Sequence, residues 1–166
     1  MAEIPSIWRE ELWHSFLVHL PIVTLLLASI AALLKPFFSN DGHKLFLGQT
    51  TIVMLFIGVL SGWITIYTGE LAYDIEVRKI CDPEVLQEHQ WWGYASLITY
   101  SVALALIIGF RFMPKRFLSL ARPFSLLLLA AGLFGLCYTG HLGASLVYQQ
   151  GAGTYQPSPD CSEFVK

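Results

Sequence analysis

Four stretches of this chain contain no Asp, Glu, Lys or Arg: Leu12–Leu34, Leu45–Tyr67, Trp91–Phe110 and Pro123–Tyr148. A helix needs about 20 mostly apolar residues to cross the hydrocarbon core of a bilayer, and each stretch meets that length. Four buried helices of a soluble protein fit less well, because soluble cores rarely hold runs this long without charge. Composition agrees. Only 13% of the 166 residues are charged and 55% are hydrophobic, whereas soluble domains carry about 25% charged residues. The expected fold is all-α, an integral membrane four-helix bundle over residues 1–148, followed by an extended tail over 149–166 that is rich in Gly, Pro and Ser.

The first apolar stretch is expected to remain in the protein. A secretory signal has an apolar region of about 7–15 residues behind a basic segment. Here the run is longer, and the preceding MAEIPSIWREE is acidic on balance. Four spans put both termini on one side, together with the 68–90 loop. The opposite side holds Lys35, Lys44, Arg111, Lys115, Arg116 and Arg122 in short loops, against Arg9, Arg78, Lys79 and Lys166 on the terminal side. Basic residues in short loops favour the cytoplasm. Both termini are therefore expected on the periplasmic face of a bacterial inner membrane.

Cys81 and Cys161 fall on that same face, where an oxidising compartment would permit a disulfide; two free thiols fit equally. Cys137 lies within the fourth span. Gly58 and Gly62 form a GxxxG in the second span, and Gly132, Gly135, Gly140, Gly143 and Ala144 line the fourth. Small residues let helix backbones approach in lipid. Gly140 and Gly143 flank His141, where they could also leave room for a flat ligand. No internal repeat is evident.

Five histidines complete the pattern. His14 and His19 lie near the periplasmic end of the first span, His89 at the entrance of the third, and His141 near the periplasmic end of the fourth. Only His43 falls on the other side. Four imidazoles in one layer need partners, because polar groups at membrane depth are rare and usually functional. Neutral imidazole ligates haem iron, zinc and copper, and helix bundles build cofactor sites from facing side chains. His14 and His19 point some 140° apart on one helix, so they are not expected to share a metal. Relative depth suggests His19 with His141 and His14 with His89, around one haem or two. A Cys/His site for zinc or copper around Cys137 and His141 is a weaker fit. Trp13, Trp63, Trp91 and Trp92 suit an interfacial belt, and Trp92 could instead stack on a macrocycle. Arg9, Arg78 and Lys79 could meet haem propionates or simply be solvated. Nothing in the chain matches a nucleophile elbow, a phosphate loop or an HExxH motif, and there is no CxxCH for covalent haem.

The blocks HSFLVHLPI (14–22), GWITIYTGE (62–70), EHQWWGYAS (88–96) and TGHLGASLVYQQGAG (139–153) resemble those of the DUF2231-type membrane proteins. They are most similar to a membrane module found beside c-type cytochrome domains in some bacteria. Its HFPI-like, HRWLG-like and TGHLGG-like motifs correspond here to HLPI, HQWWG and TGHLGAS. The resemblance covers all four spans. It implies a four-helix bundle with a haem b role falling on His19, His89 and His141; His14 lies outside the pattern. The 166 residues carry no c-type domain, which implies a separate redox partner.

These readings lead to one expected function: a b-type haem electron-transfer subunit, with no catalytic centre of its own. It would link quinol or a membrane respiratory complex to a periplasmic c-type cytochrome. The expected partners are the lipid bilayer, other subunits of a membrane complex, that cytochrome, and a quinone. No nucleic-acid partner is expected. The alternative is a non-redox accessory subunit whose histidines hydrogen-bond across helices.

Overall fold

A computed structural model describes residues 6–155, apart from Arg111. All its regular elements are helical: α1 (Glu10–Leu17), α2 (His19–Leu34), a 3₁₀ turn (Lys35–Phe37), α3 (Asp41–Glu76), α4 (Pro83–Gly109) and α5 (Lys115–Tyr148). With α1, α2 and the 3₁₀ turn taken as one span, four helices are long and apolar enough to cross a membrane. Their most apolar windows have mean hydropathies of 2.4, 1.8, 1.5 and 1.8.

Each helix boundary has a local cause. Pro21 lacks an N–H and its ring crowds the carbonyl four residues back, which is that of Leu17; the first span breaks there, at Val18. Asn40 caps α3 by accepting from Gly42 N at 2.8 Å and His43 N at 3.2 Å. Asp82 caps α4 by accepting from Glu84 N at 3.0 Å, with Pro83 in the first turn. That cap starts α4 eight residues before the charge-free run beginning at Trp91. His89 therefore sits inside a helix rather than at its entrance. Helix α5 likewise begins before the apolar run, and Pro123 lies within it.

The helices close a ring. Helix α4 lies along α5, α2 along α3, α3 against α4 and α2 against α5, while α1 packs on α3. The central core joins Leu25, Ala28 and Ala32 of α2 to Leu55 of α3, Tyr100 and Ala103 of α4 and Leu129 of α5. Glycines set the close approaches. A methyl at Gly62 would stand 2.6 Å from Leu97 Cδ1, and one at Gly132 would stand 3.0 Å from the Tyr100 ring. Tyr100 is fully buried, and its hydroxyl shares a 2.9 Å hydrogen bond with Ser29 Oγ. Ser29 Oγ also donates to Leu25 O. Tyr100→Phe should therefore cost only about 1 kcal/mol, the usual worth of an interhelical hydrogen bond in a membrane, and unfolding in detergent titrations should shift by that amount. Outward-facing Ile30, Ile52, Phe56, Leu60, Ile98, Val102, Leu127 and Phe134 are exposed, as expected where lipid is the solvent.

The end of the bundle that carries both termini is tied by charges. Buried Glu76 accepts from Lys79 Nζ at 2.9 Å and, through its other oxygen, from Gly153 N at 2.9 Å. Buried Glu11 pairs with Arg9 at 3.2 Å. Gln150 Oε1 accepts from the backbone N–H groups of Cys81 and Asp82. The segment after α5 therefore folds back over the helix ends, turning through Gly151 and Gly153, both at positive φ (72° and 68°), which glycine adopts without steric cost. Cys161 and Lys166 lie outside the described residues, so the Cys81–Cys161 pairing does too.

Candidate functional site

Two of the four candidate imidazoles meet. The rings of His14 and His89 stand 6.2 Å apart, centroid to centroid, and perpendicular to one another. Each is fixed in the same way. His14 Nδ1 lies 3.0 Å from Thr65 O on α3; His89 Nδ1 lies 3.0 Å from Thr139 O on α5. A carbonyl only accepts, so both Nδ1 atoms carry the proton. In a neutral ring that leaves Nε2 with a free lone pair. A hydrogen bond from the far ring nitrogen to a carbonyl is also how metal-binding histidines are usually oriented.

Each ring rests on a glycine one turn beyond its threonine. A methyl at Gly69 would come 3.1 Å from His14 Cε1, and one at Gly143 would come 3.1 Å from His89 Cε1. Thr65–Gly69 and Thr139–Gly143 thus form two T-x-x-x-G seats, one in each half of the chain. The histidines precede their threonines by 51 and 50 residues. The two seats thus repeat one local arrangement of His, Thr and Gly. Thr65, Gly69 and Thr139 are the site residues that the histidine count alone misses; the recurring T-x-x-x-G is the signal that could have found them.

The other candidates lie apart from this pair. His19 is exposed, and its Nδ1 lies 3.3 Å from Phe16 O on its own side of the bundle. His141 is exposed and faces Tyr138 at 6.3 Å. No contact joins His19 to His141 among the described residues. Trp92 packs against Trp91, Phe134 and Tyr138. Gly143 carries the His89 ring, but nothing lies within 4 Å of a methyl built at Gly140. Arg9 is engaged by Glu11, and Arg78 is exposed. His43 sits against Phe38 at the opposite end.

The family model described as a predicted membrane protein (DUF2231) matches residues 12–156. The chain belongs to the DUF2231 family. No curated protein and no solved structure matches it. The matched region includes every residue of the candidate site, from His14 on α1 to Gly143 on α5. Among the described residues no three His, Cys, Asp or Glu side chains converge. At this site the described residues bring together two imidazoles, one from α1 and one from α4. Two imidazoles on opposite sides of one metal, at about 2 Å from each nitrogen, put their ring centroids about 6 Å apart. The 6.2 Å between the two centroids is of that order.

Proposed function

We propose that this multi-pass membrane protein is a b-type haem electron-transfer subunit of a bacterial inner membrane, with both termini in the periplasm. The observation that carries the reading is the His14–His89 pair: two rings from different helices, each with Nδ1–H anchored on a backbone carbonyl and Nε2 left free. The residues that would hold haem are His14 and His89. His19 and His141 are assigned no iron. When bound, haem b supplies one-electron transfer without an open coordination site for substrate. The protein's own part is mechanical and electrostatic. Thr65 O and Thr139 O fix the tautomers, and Gly69 and Gly143 set the ring positions. The partners of this reading are a quinol or a membrane respiratory complex on one side and a periplasmic c-type cytochrome on the other.

A second reading rests on the same bonds. Both Nδ1 atoms are already satisfied by carbonyls, so the two rings could serve only to join the helix pairs of an accessory subunit. A visible spectrum of the purified protein separates the two. The electron-transfer reading expects a Soret band and a reduced α-band of haem b from haem-replete cells. A colourless, folded protein favours the accessory role.

A further inference from the structure

Glu70 is an acid placed just past the charge-free part of α3, and it directly follows Gly69, the seat of the His14 ring. One of its oxygens, Oε1, accepts from both Gln90 Nε2 and Tyr94 Oη on α4, each at 2.9 Å. Oε2 receives no hydrogen bond from the described residues. Both donors line an open groove of about 600 Å³ between α3 and α4, together with Tyr73, Gln87 and Trp91; Glu70 is not among the lining residues and is joined to the groove through these two hydrogen bonds. Small-molecule pockets commonly enclose about 300–1,000 Å³, with mostly apolar walls and a few fixed polar groups. Toward the hydrocarbon the same face continues through Trp63, which contacts Tyr94 and is partly open to lipid.

We propose that this groove binds the head group of a membrane quinol, one ring hydroxyl donating to Glu70 Oε2. The groove is open, and its residues lie at the ends of the charge-free runs of α3 and α4, the level at which a lipid-borne ring would enter sideways. Its aromatic walls, Tyr73, Trp91 and Tyr94, suit a flat ring. The carboxylate already receives two donors, which offset part of its charge and hold its orientation. The remaining oxygen is matched to a neutral hydroxyl, which loses less hydration than a cation on leaving water. Glu70 follows the His14 seat at Gly69, and Gln90 follows His89, so the groove and the imidazole pair lie at one level of the bundle on different helix faces. The choice of a redox-active ring over another aromatic alcohol rests on the electron-transfer reading above.

The test is anaerobic titration calorimetry of the full-length protein in lipid nanodiscs, with duroquinol as titrant and empty nanodiscs as the blank. Saturable binding is expected. It should weaken about tenfold or more in Glu70→Gln, the worth of a hydrogen bond to a charged acceptor. Trp91→Leu alters an exposed wall residue that no core contact needs, and it should weaken binding as well. Duroquinone, which has no hydroxyl to donate, should bind about tenfold more weakly than duroquinol. The proposal is overturned if binding does not exceed the blank, if neither variant changes it, or if choline binds and duroquinol does not. Haem content of the same samples keeps the two readings apart. Haem without duroquinol binding removes the groove alone; duroquinol binding by protein that never takes up haem removes the electron-transfer reading alone.

Discussion

His89→Ala protein, expressed in haem-replete cells, should purify almost without colour. If the two imidazoles hold haem as proposed, removing one would remove a metal bond outright, and even loss of a supporting hydrogen bond typically costs about 10–100-fold in metal affinity. The loss here should be at the upper end or beyond. His14→Ala should do the same, since the two rings hold equivalent seats. Neither ring belongs to the central core, whose members lie around Tyr100 and Leu129, so far-ultraviolet circular dichroism should stay at the wild-type helical content. His19→Ala and His141→Ala should keep their haem. That contrast carries the weight of the prediction, because the count of histidines in one layer treats all four alike. Retention of full haem content in both His14→Ala and His89→Ala, or its loss only on changing His19 or His141, would overturn the assignment of ligands.

The second large effect belongs to a glycine. Gly143→Leu should cut haem content about tenfold or more, although residue 143 touches no metal. A methyl there would already press on His89 Cε1 at 3.1 Å, and a full isobutyl group must push the ring aside. The displaced ring loses its bond to Thr139 O, and with it the orientation that makes the far nitrogen available. Gly140→Leu supplies the control. It sits three residues away on the same helix, is exposed, and a methyl built there meets nothing within 4 Å. It should leave haem content unchanged. Equal losses in the two variants would mean that α5 tolerates no bulk anywhere near this end, and that the seat under His89 has no special role.

The sequence made the four spans plain because lipid imposes a coarse rule: about 20 residues without charge. Finer features follow other rules. The third helix begins at Pro83 rather than Trp91, because Asp82 and Pro83 start a helix by local capping, a force indifferent to hydropathy. Hydropathy also passes over the break at Val18, which Pro21 imposes from within an unbroken apolar run. The approach of His14 to His89 was legible as one of two pairings ranked by depth. Depth alone could not show that His19 and His141 face outward, since that depends on the rotation of each helix about its axis. The family motifs leave His14 out, yet its ring meets His89 while His19 bonds only within its own segment. The threonine seats were harder to see. They act through backbone carbonyls, which every residue has, so their only trace in the side chains is a recurring glycine one turn later. Glu70 shows the opposite case. As a residue at the rim it reads as an ordinary interfacial acid; its partners Gln90 and Tyr94 come from another helix, and only the α3–α4 contact reveals them.

The most direct measurement is a pyridine haemochrome assay on the purified wild-type chain and its His14→Ala and His89→Ala variants. It reports both haem type and haem-to-protein ratio. Two imidazoles sharing one metal predict about one haem b per chain in the wild type and almost none in either variant. Wild-type protein that is folded and haem-free, or variants that match its haem content, would contradict the account.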